Sequence, residues 1–244
     1  MMKKLILPAT VLVAIALLVI ACGGPTATPV PTATPTPPPV EEILKGAATA
    51  MEEVDSVHID MTMQMTMTTQ GMTLQIPLTL VGDMQNPDRF KGTMAMDMMG
   101  QSVRADMVVI SPTTYISEST TGEWQTTTAT EAGLPVDPSS ITGVNPEDVE
   151  GLALVGEETI NGRPVYHLTG TVKAAPLGLQ ESLGAGGDVN LKADYWIDKE
   201  NSYMLKSTVS GDIAITGEME ATINLSMLML FTDYNKPVTI EAPM

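Results

Sequence analysis

The stretch HIDMTMQMTMTTQGMTLQIPLTL, His58 to Leu80, alternates apolar and polar residues. Ile59, Met61, Met63, Met65 and Met67 share one side of an extended chain, and Asp60, Thr62, Gln64 and Thr66 the other. The alternation resumes with Met72, Leu74, Ile76, Leu78 and Leu80. A period of two sustained this long specifies strands with one buried face. Methionine is an odd choice for that face. Valine and isoleucine are stiff at χ1 and suit strands better. Methionine has three rotatable bonds and a polarizable sulfur, so it adapts to irregular shapes and varied ligands. A core that must be unique uses it sparingly. With 19 Met against 2 Phe, this chain builds its apolar surface from flexible linear side chains.

Working outward, Asn86-Pro87-Asp88 reads as a turn. A third strand sets Met94, Met96 and Met98 against Thr93, Ala95 and Asp97, and Gly100 turns the chain into a fourth with Val103, Ala105, Met107 and Val109. Further strands are expected over Tyr115 to Ser119, on both sides of the hairpin dipeptide Asn161-Gly162, and over Val189 to Asp198, Tyr203 to Ser210 and Glu218 to Thr232. Thr126 to Glu150 reads as a long loop with a short helix near Pro146 to Leu152, and Ala174 to Asp188 as another loop. Upstream, VEEILKGAATAMEEV (Val40 to Val54) places Val40, Ile43, Leu44, Ala47, Met51 and Val54 at helical spacing, with the charges elsewhere. No helix separates successive strands, so parallel βαβ units are excluded. The expected fold is α+β and mostly β: one N-terminal amphipathic helix, then about ten antiparallel strands in a large curved sheet. The predicted strands are longer than usual, which suits such a sheet better than a sandwich. Each apolar side chain left in water costs roughly 1.5–3 kcal/mol. Something must therefore cover the Met-rich face: the helix, the later strands, a lipid or another chain.

The N-terminus reads MMKKLILPATVLVAIALLVIACGG, with a short positive region, an apolar run and a lipobox at Val19-Ile20-Ala21-Cys22. Residues 1–21 are read as a lipoprotein signal peptide and Cys22 as the lipidated residue. The expected location is extracytoplasmic, anchored to the bacterial cell membrane through acyl chains on Cys22. Cys22 is the only cysteine, so its lipidation leaves no thiol for a disulfide or thiolate ligation. Residues 22–40 form a Pro/Thr-rich stalk; polyproline II geometry gives it a reach of about 50 Å. Residues 41–244 then make a single β domain.

The formal net charge is −17, and loss of Lys3 and Lys4 with the leader makes the mature chain more acidic still. Without a basic patch to neutralise phosphates, nucleic acid is excluded as a partner. The two histidines, His58 and His167, stand on the polar sides of separate strands and are expected to be solvated. Their spacing points to no metal, and no cofactor is expected. No nucleophile elbow, His-Glu-x-x-His helix or phosphate loop is present. Glu157 and Glu158 alternate across a strand, which is poor for acid–base work. Trp124 and Trp196 are read as packing residues. The chain is not expected to be an enzyme.

Several pieces together resemble the LppX/LprG-type lipoproteins of the LolA-like superfamily. They are the lipobox and stalk, the helix running into Met51-Glu52-Glu53-Val54-Asp55-Ser56-Val57-His58, the segment Asn161 to Gly170 (NGRPVYHLTG), Tyr195-Trp196-Ile197-Asp198-Lys199, and the closing Asp233-Tyr234-Asn235-Lys236-Pro237-Val238-Thr239-Ile240. The resemblance covers residues 41–244. It implies a half-barrel sheet with the helix on its concave face, which holds lipid or acylated glycolipid. On that basis the groove lining is expected to comprise Met61, Met63, Met65, Met67, Leu74, Ile76, Leu78, Leu80, Met94, Met96, Met98, Met107 and Val109. Tyr195, Ile197, Leu225, Met227 and Met229 are expected to join it from later strands. The expected function is non-catalytic binding or carriage of lipid, with any partner transporter unspecified. The alternative is an envelope sensor or protein-interaction lipoprotein of the same fold with a filled core. A solute-binding lipoprotein is disfavoured because two α/β lobes are absent.

Overall fold

The computed structural model describes residues 37–98, 101–118, 122–128, 145–173, 189–215 and 220–243. The expected signal peptide, Cys22, most of the expected stalk, the turn at Gly100, most of the first long loop, all of the second and the start of the last expected strand lie outside these residues. Helix α1 (Val40–Glu53) is followed by strands β1 (Ser56–Thr69), β2 (Met72–Gln85), β3 (Arg89–Met98), β4 (Gln101–Ile110), β5 (Thr113–Glu118) and β6 (Trp124–Thr128). A single 3-10 turn at Pro146–Asp148 precedes β7 (Val149–Ile160), β8 (Arg163–Lys173), β9 (Asn190–Asp198), β10 (Met204–Ile215) and β11 (Ala221–Thr232).

All strands join one open antiparallel sheet in the order β6-β5-β4-β3-β2-β1-β11-β10-β9-β8-β7. Two meanders thus run outward from a central pair formed by the first and last strands. Eleven strands lie among the described residues, against about ten expected. The expected Thr126–Glu150 loop is shorter at both ends, because Thr126–Thr128 close β6 and Val149 and Glu150 open β7. The short helix expected there shrinks to the 3-10 turn, whose Glu147 N–H donates to Asn145 Oδ1 at 3.1 Å. Strand β6 escapes a periodicity search because it is an edge strand exposed along nearly its whole length, with no apolar face to alternate. The hairpin dipeptides Gln70-Gly71 and Asn161-Gly162 have φ of 48° and 80°, and 50° and 81°. Both residues of each pair are left-handed, as two-residue turns matching the strand twist require.

Helix α1 buries Ile43, Leu44, Ala47 and Met51 against the inner face of this sheet. It touches β7, β9 and the 3-10 turn. Near its far end, Asn86 Nδ2 at the β2–β3 turn donates to the carbonyls of Met51 (3.2 Å) and Val54 (2.5 Å). From β7 to β2 is six strand spacings, about 29 Å along a flat sheet, whereas a helix of this length spans about 21 Å. The sheet therefore wraps around the helix, as expected of a half-barrel. The C-terminal segment closes the same end. Asn235 N–H donates to Ser56 O (2.8 Å), Arg89 Nη1 to Ile240 O (2.9 Å), and Ile240 is fully buried.

A second, smaller cluster on the outer face packs Val165, Trp196 and Leu205. Beside it Asp198, only 1% exposed, accepts backbone N–H groups of Glu200 and Asn201 through Oδ1. No well-directed hydrogen bond reaches its Oδ2, which is held by an ion pair with Arg163 Nε at 2.7 Å. Removing one partner of a buried pair leaves an uncompensated charge. Arg163→Met is therefore expected to lower unfolding stability by about 2 kcal/mol, a value reduced for the partial exposure of Arg163. A shifted urea midpoint would show it, and an unchanged midpoint would mean the pair is structurally idle.

Candidate functional site

The inner face is a ladder of directly opposed apolar side chains. Met61, Met63, Met65 and Met67 of β1 face Leu80, Leu78, Ile76 and Leu74 of β2. On the other side they face Met229, Met227, Leu225 and Ile223 of β11. Leu80 and Leu78 continue to Met94 and Met96, and those to Ala105 and Val103. Opposed side chains in such a ladder lie about 5 Å apart, so the expected stripes do form one continuous apolar surface. Met107 and Val109 extend it beside Gly92 and Phe90. Tyr195 joins it opposite Leu168 and Ser207, and Ile197 opposite Tyr166 and Met204. Met98 ends β3, and its side chain lies outside the described residues.

Burial divides this surface into two parts. Met61, Met63, Leu78, Leu80, Met107, Val109, Tyr195, Ile197, Leu225 and Met227 are sealed, with Met63 at 3% exposure. Met65, Met67, Leu74, Ile76, Met94, Met96 and Met229 are half-buried. Most of the second set lies toward the β1–β2 hairpin, away from the closed end. Beyond it toward the tip Met72 reaches 68% exposure, and across the sheet Val103, opposite Met96, reaches 44%. On β1 and β2 the apolar face therefore opens toward the hairpin tip, whereas Leu225 and Ile223 of β11, opposite Met65 and Met67, stay buried.

Strand β10 also contributes Val209 and Ile213 to this core, and β11 contributes Ile223. Sequence reading missed the β10 residues because Ser207 and Gly211 interrupt the alternation. Ser207 is 1% exposed and its Oγ has no hydrogen-bond partner. It stands between Met229 and Tyr195, an unpaired polar atom on an otherwise oily wall. Burial also pushes the Tyr195 phenol well above its usual range, with the charge of Asp194 adding to the effect. Tyr195 is therefore neutral at every physiological pH.

The histidines are partnered rather than solvated. His58 Nδ1 lies 2.6 Å from Asp83 Oδ1. His167 lies between Glu158 (2.7 Å) and Asp194 (3.3 Å) and stacks on Trp196 at 4.2 Å. Trp196 Nε1 donates to Glu158 at 2.9 Å, and Lys206 sits over its ring. These groups are on the outer face, away from the methionines. Among the described residues, no three of His, Cys, Asp and Glu are placed to hold a metal ion.

This cluster has a pH consequence. The Glu158 carboxyl is held below its ordinary value of 4.5 by hydrogen bonds from Trp196 and then His167. For Asp194, burial is the largest influence and acts upward, but bonds from Lys192, Thr169 and His167 outweigh it and hold the carboxyl below 3.8. A depressed carboxylate stabilises the fold above its unfolded value and loses that contribution as pH falls through the folded one. The thermal midpoint is expected to fall with acidification below about pH 4. Glu158→Gln should make that fall shallower in a pH series of melting curves; an identical slope would refute the assignment.

A family model described as LppX_LprAFG lipoprotein matches residues 40–240. Among solved structures, LprF from Mycobacterium bovis is similar with a TM-score of 0.55 and 17% identity, covering 84% of this chain and 96% of that one. The Mycobacterium tuberculosis lipoprotein LppX is similar with a TM-score of 0.54 and 17% identity, covering 83% of this chain and 98% of that one. At such identity the likeness concerns the fold. An uncharacterized 31.2 kDa protein of Streptomyces griseus, from its rplA-rplJ intergenic region, is 30% identical over 102 residues. That match spans 36% of this chain and 31% of the other protein. The half-barrel, the helix across its inner face and the family match over nearly all of the described residues agree, and the chain belongs to the LppX_LprAFG lipoprotein family.

Proposed function

We propose that this protein is a membrane-anchored extracytoplasmic lipoprotein that binds and carries lipid in the Met-rich groove of its half-barrel, without catalysis. One observation carries the reading: the continuous apolar ladder loses its cover along β1–β3, where Met65, Met67, Leu74, Ile76, Met94 and Met96 are half-buried while Leu225 and Ile223 of β11 stay sealed. Burying a hydrocarbon chain against them gains about 0.8 kcal/mol per CH₂, so transfer from a membrane needs no covalent step. Methionine suits such a wall because its side chain can follow chains of different length and kink. Ser207 Oγ would offer a hydrogen bond to an ester or hydroxyl of the occupant. Anchoring through Cys22, with the stalk as spacer, would keep the domain near its lipid source.

A second reading is a sensor or interaction module of the same fold, favoured by the burial of most inner-face side chains, Met61, Met63, Leu80, Tyr195 and Leu225 among them. Native mass spectrometry and solvent extraction of gently purified protein separate the two. Co-purified lipid, or uptake of an added fluorescent fatty acid, supports the carrier; a clean unliganded mass with no uptake supports the module.

A further inference from the structure

We infer that the β1–β2 arm, with Met72 at its tip, docks the domain onto a lipid bilayer surface. The acidic charge that covers this protein is missing here. From Met61 to Gly82 there is no Asp, Glu, Lys, Arg or His, the longest such run after residue 40 in a chain of net charge −17. The neighbouring strand β11, Ala221–Thr232, is likewise uncharged. β1 lies between β2 and β11, so Met61–Gly82 and β11 form an uncharged slab, with His58, Asp60 and Asp83 confined to the end away from the hairpin tip. Its outer side carries Thr62, Gln64, Thr66, Thr68, Thr73 and Thr79, short groups that hydrogen-bond at a headgroup layer without bringing charge. Elsewhere the acidic surface is repelled by anionic lipid.

The tip is also shaped for contact. Gln70-Gly71 forms the turn, and Met72 directly after it is 68% exposed. Met67 and Leu74, opposite each other, are half-buried just behind it. The β2–β3 ladder ends at Leu78 and Met96, so among the described residues Met72–Pro77 has no strand neighbour on that side. This exposed apolar tip is continuous with the open end of the methionine ladder. Burial of a few apolar side chains at the interface gives weak, reversible adsorption. Docking stands without the carrier reading, since a domain with a filled groove would present the same tip.

Residues 38–244 form one compact unit that contains the whole core cluster, so this unit is tested without the lipid anchor. It is expected to float with phosphatidylcholine vesicles, and less with phosphatidylglycerol vesicles at low salt. Met72→Glu should reduce the bound fraction about tenfold, the scale of one buried apolar side chain, with circular dichroism unchanged. The indole fluorescence introduced by Met72→Trp should be quenched by lipids brominated along the acyl chains. Absence of that quenching, equal flotation of Met72→Glu, or a soluble dimer formed through the Met72–Pro77 edge with no vesicle binding overturns the inference. Uptake of a fatty acid delivered from solution should survive Met72→Glu. In the unmodified domain, flotation without fatty-acid uptake sinks the carrier reading alone, and uptake without flotation sinks docking alone.

Discussion

Met65→Glu and Met96→Glu each raise the dissociation constant for a fluorescent fatty acid at least about a hundredfold, while the urea midpoint stays near that of the unmodified chain. Both side chains are half-buried on the inner face, Met65 opposite Ile76 and Leu225, Met96 opposite Leu78 and Val103. In the empty groove a glutamate there reaches water and the fold tolerates it. An acyl chain laid over it strands the carboxylate in hydrocarbon, which costs far more than the lost contacts. Met63→Glu behaves differently. Met63 is 3% exposed, so the charge is buried whether or not lipid is bound, and the variant unfolds rather than reporting on uptake. Equilibrium titration with parallel unfolding curves distinguishes the outcomes. Unchanged uptake in both half-buried variants would mean that the occupant, if any, lies elsewhere on the sheet. Met65→Leu is the control, because a volume-conserving apolar swap is tolerated.

Gly82→Ala and Gly92→Ala are each expected to cost about 3 kcal/mol or more of unfolding stability. The two glycines are directly opposed on β2 and β3, with the Phe90 ring over them. A Cβ at Gly82 would lie 2.4 Å from the Lys91 carbonyl oxygen and 2.6 Å from Gly92 Cα; one at Gly92 would lie 2.4 Å from the Val81 carbonyl oxygen. Those atoms are backbone and cannot rotate aside, so Phe90→Ala should not rescue either variant. Glycines inside strands mark tight bends and close backbone approach, and here they let the sheet fold sharply beside the helix-covered end. Gly156→Ala is the control, since its Cβ meets nothing within 4 Å. Equal urea midpoints for Gly82→Ala and Gly156→Ala would show that the sheet relaxes around the close approach.

Much of this architecture can be read from residues 58–80 and their neighbours, for a simple reason. A strand with one buried face must alternate, so Met61–Met67, Leu74–Leu80 and Met94–Met96 declare their face without reference to partners. The helix at Val40–Glu53 is legible for the same reason at a different period. Legibility fails where the face is interrupted or absent. Strand β10 hides its inner residues behind Ser207 and Gly211, and β6 has no buried face to advertise. The histidines look solvated in sequence because the carboxylates that hold them come from other strands.

Local pattern therefore dictated the elements, the common apolar face and its unusual methionine content, because each depends on residues a few positions apart. Chain folding over long distances decided the rest. It set the first strand against the last, placed α1 and the C-terminal segment at one end, and left Met65 and Met96 half-buried and Met72 exposed. Whether an apolar side chain is sealed or available depends on what crosses above it, and no periodicity along its own strand encodes that.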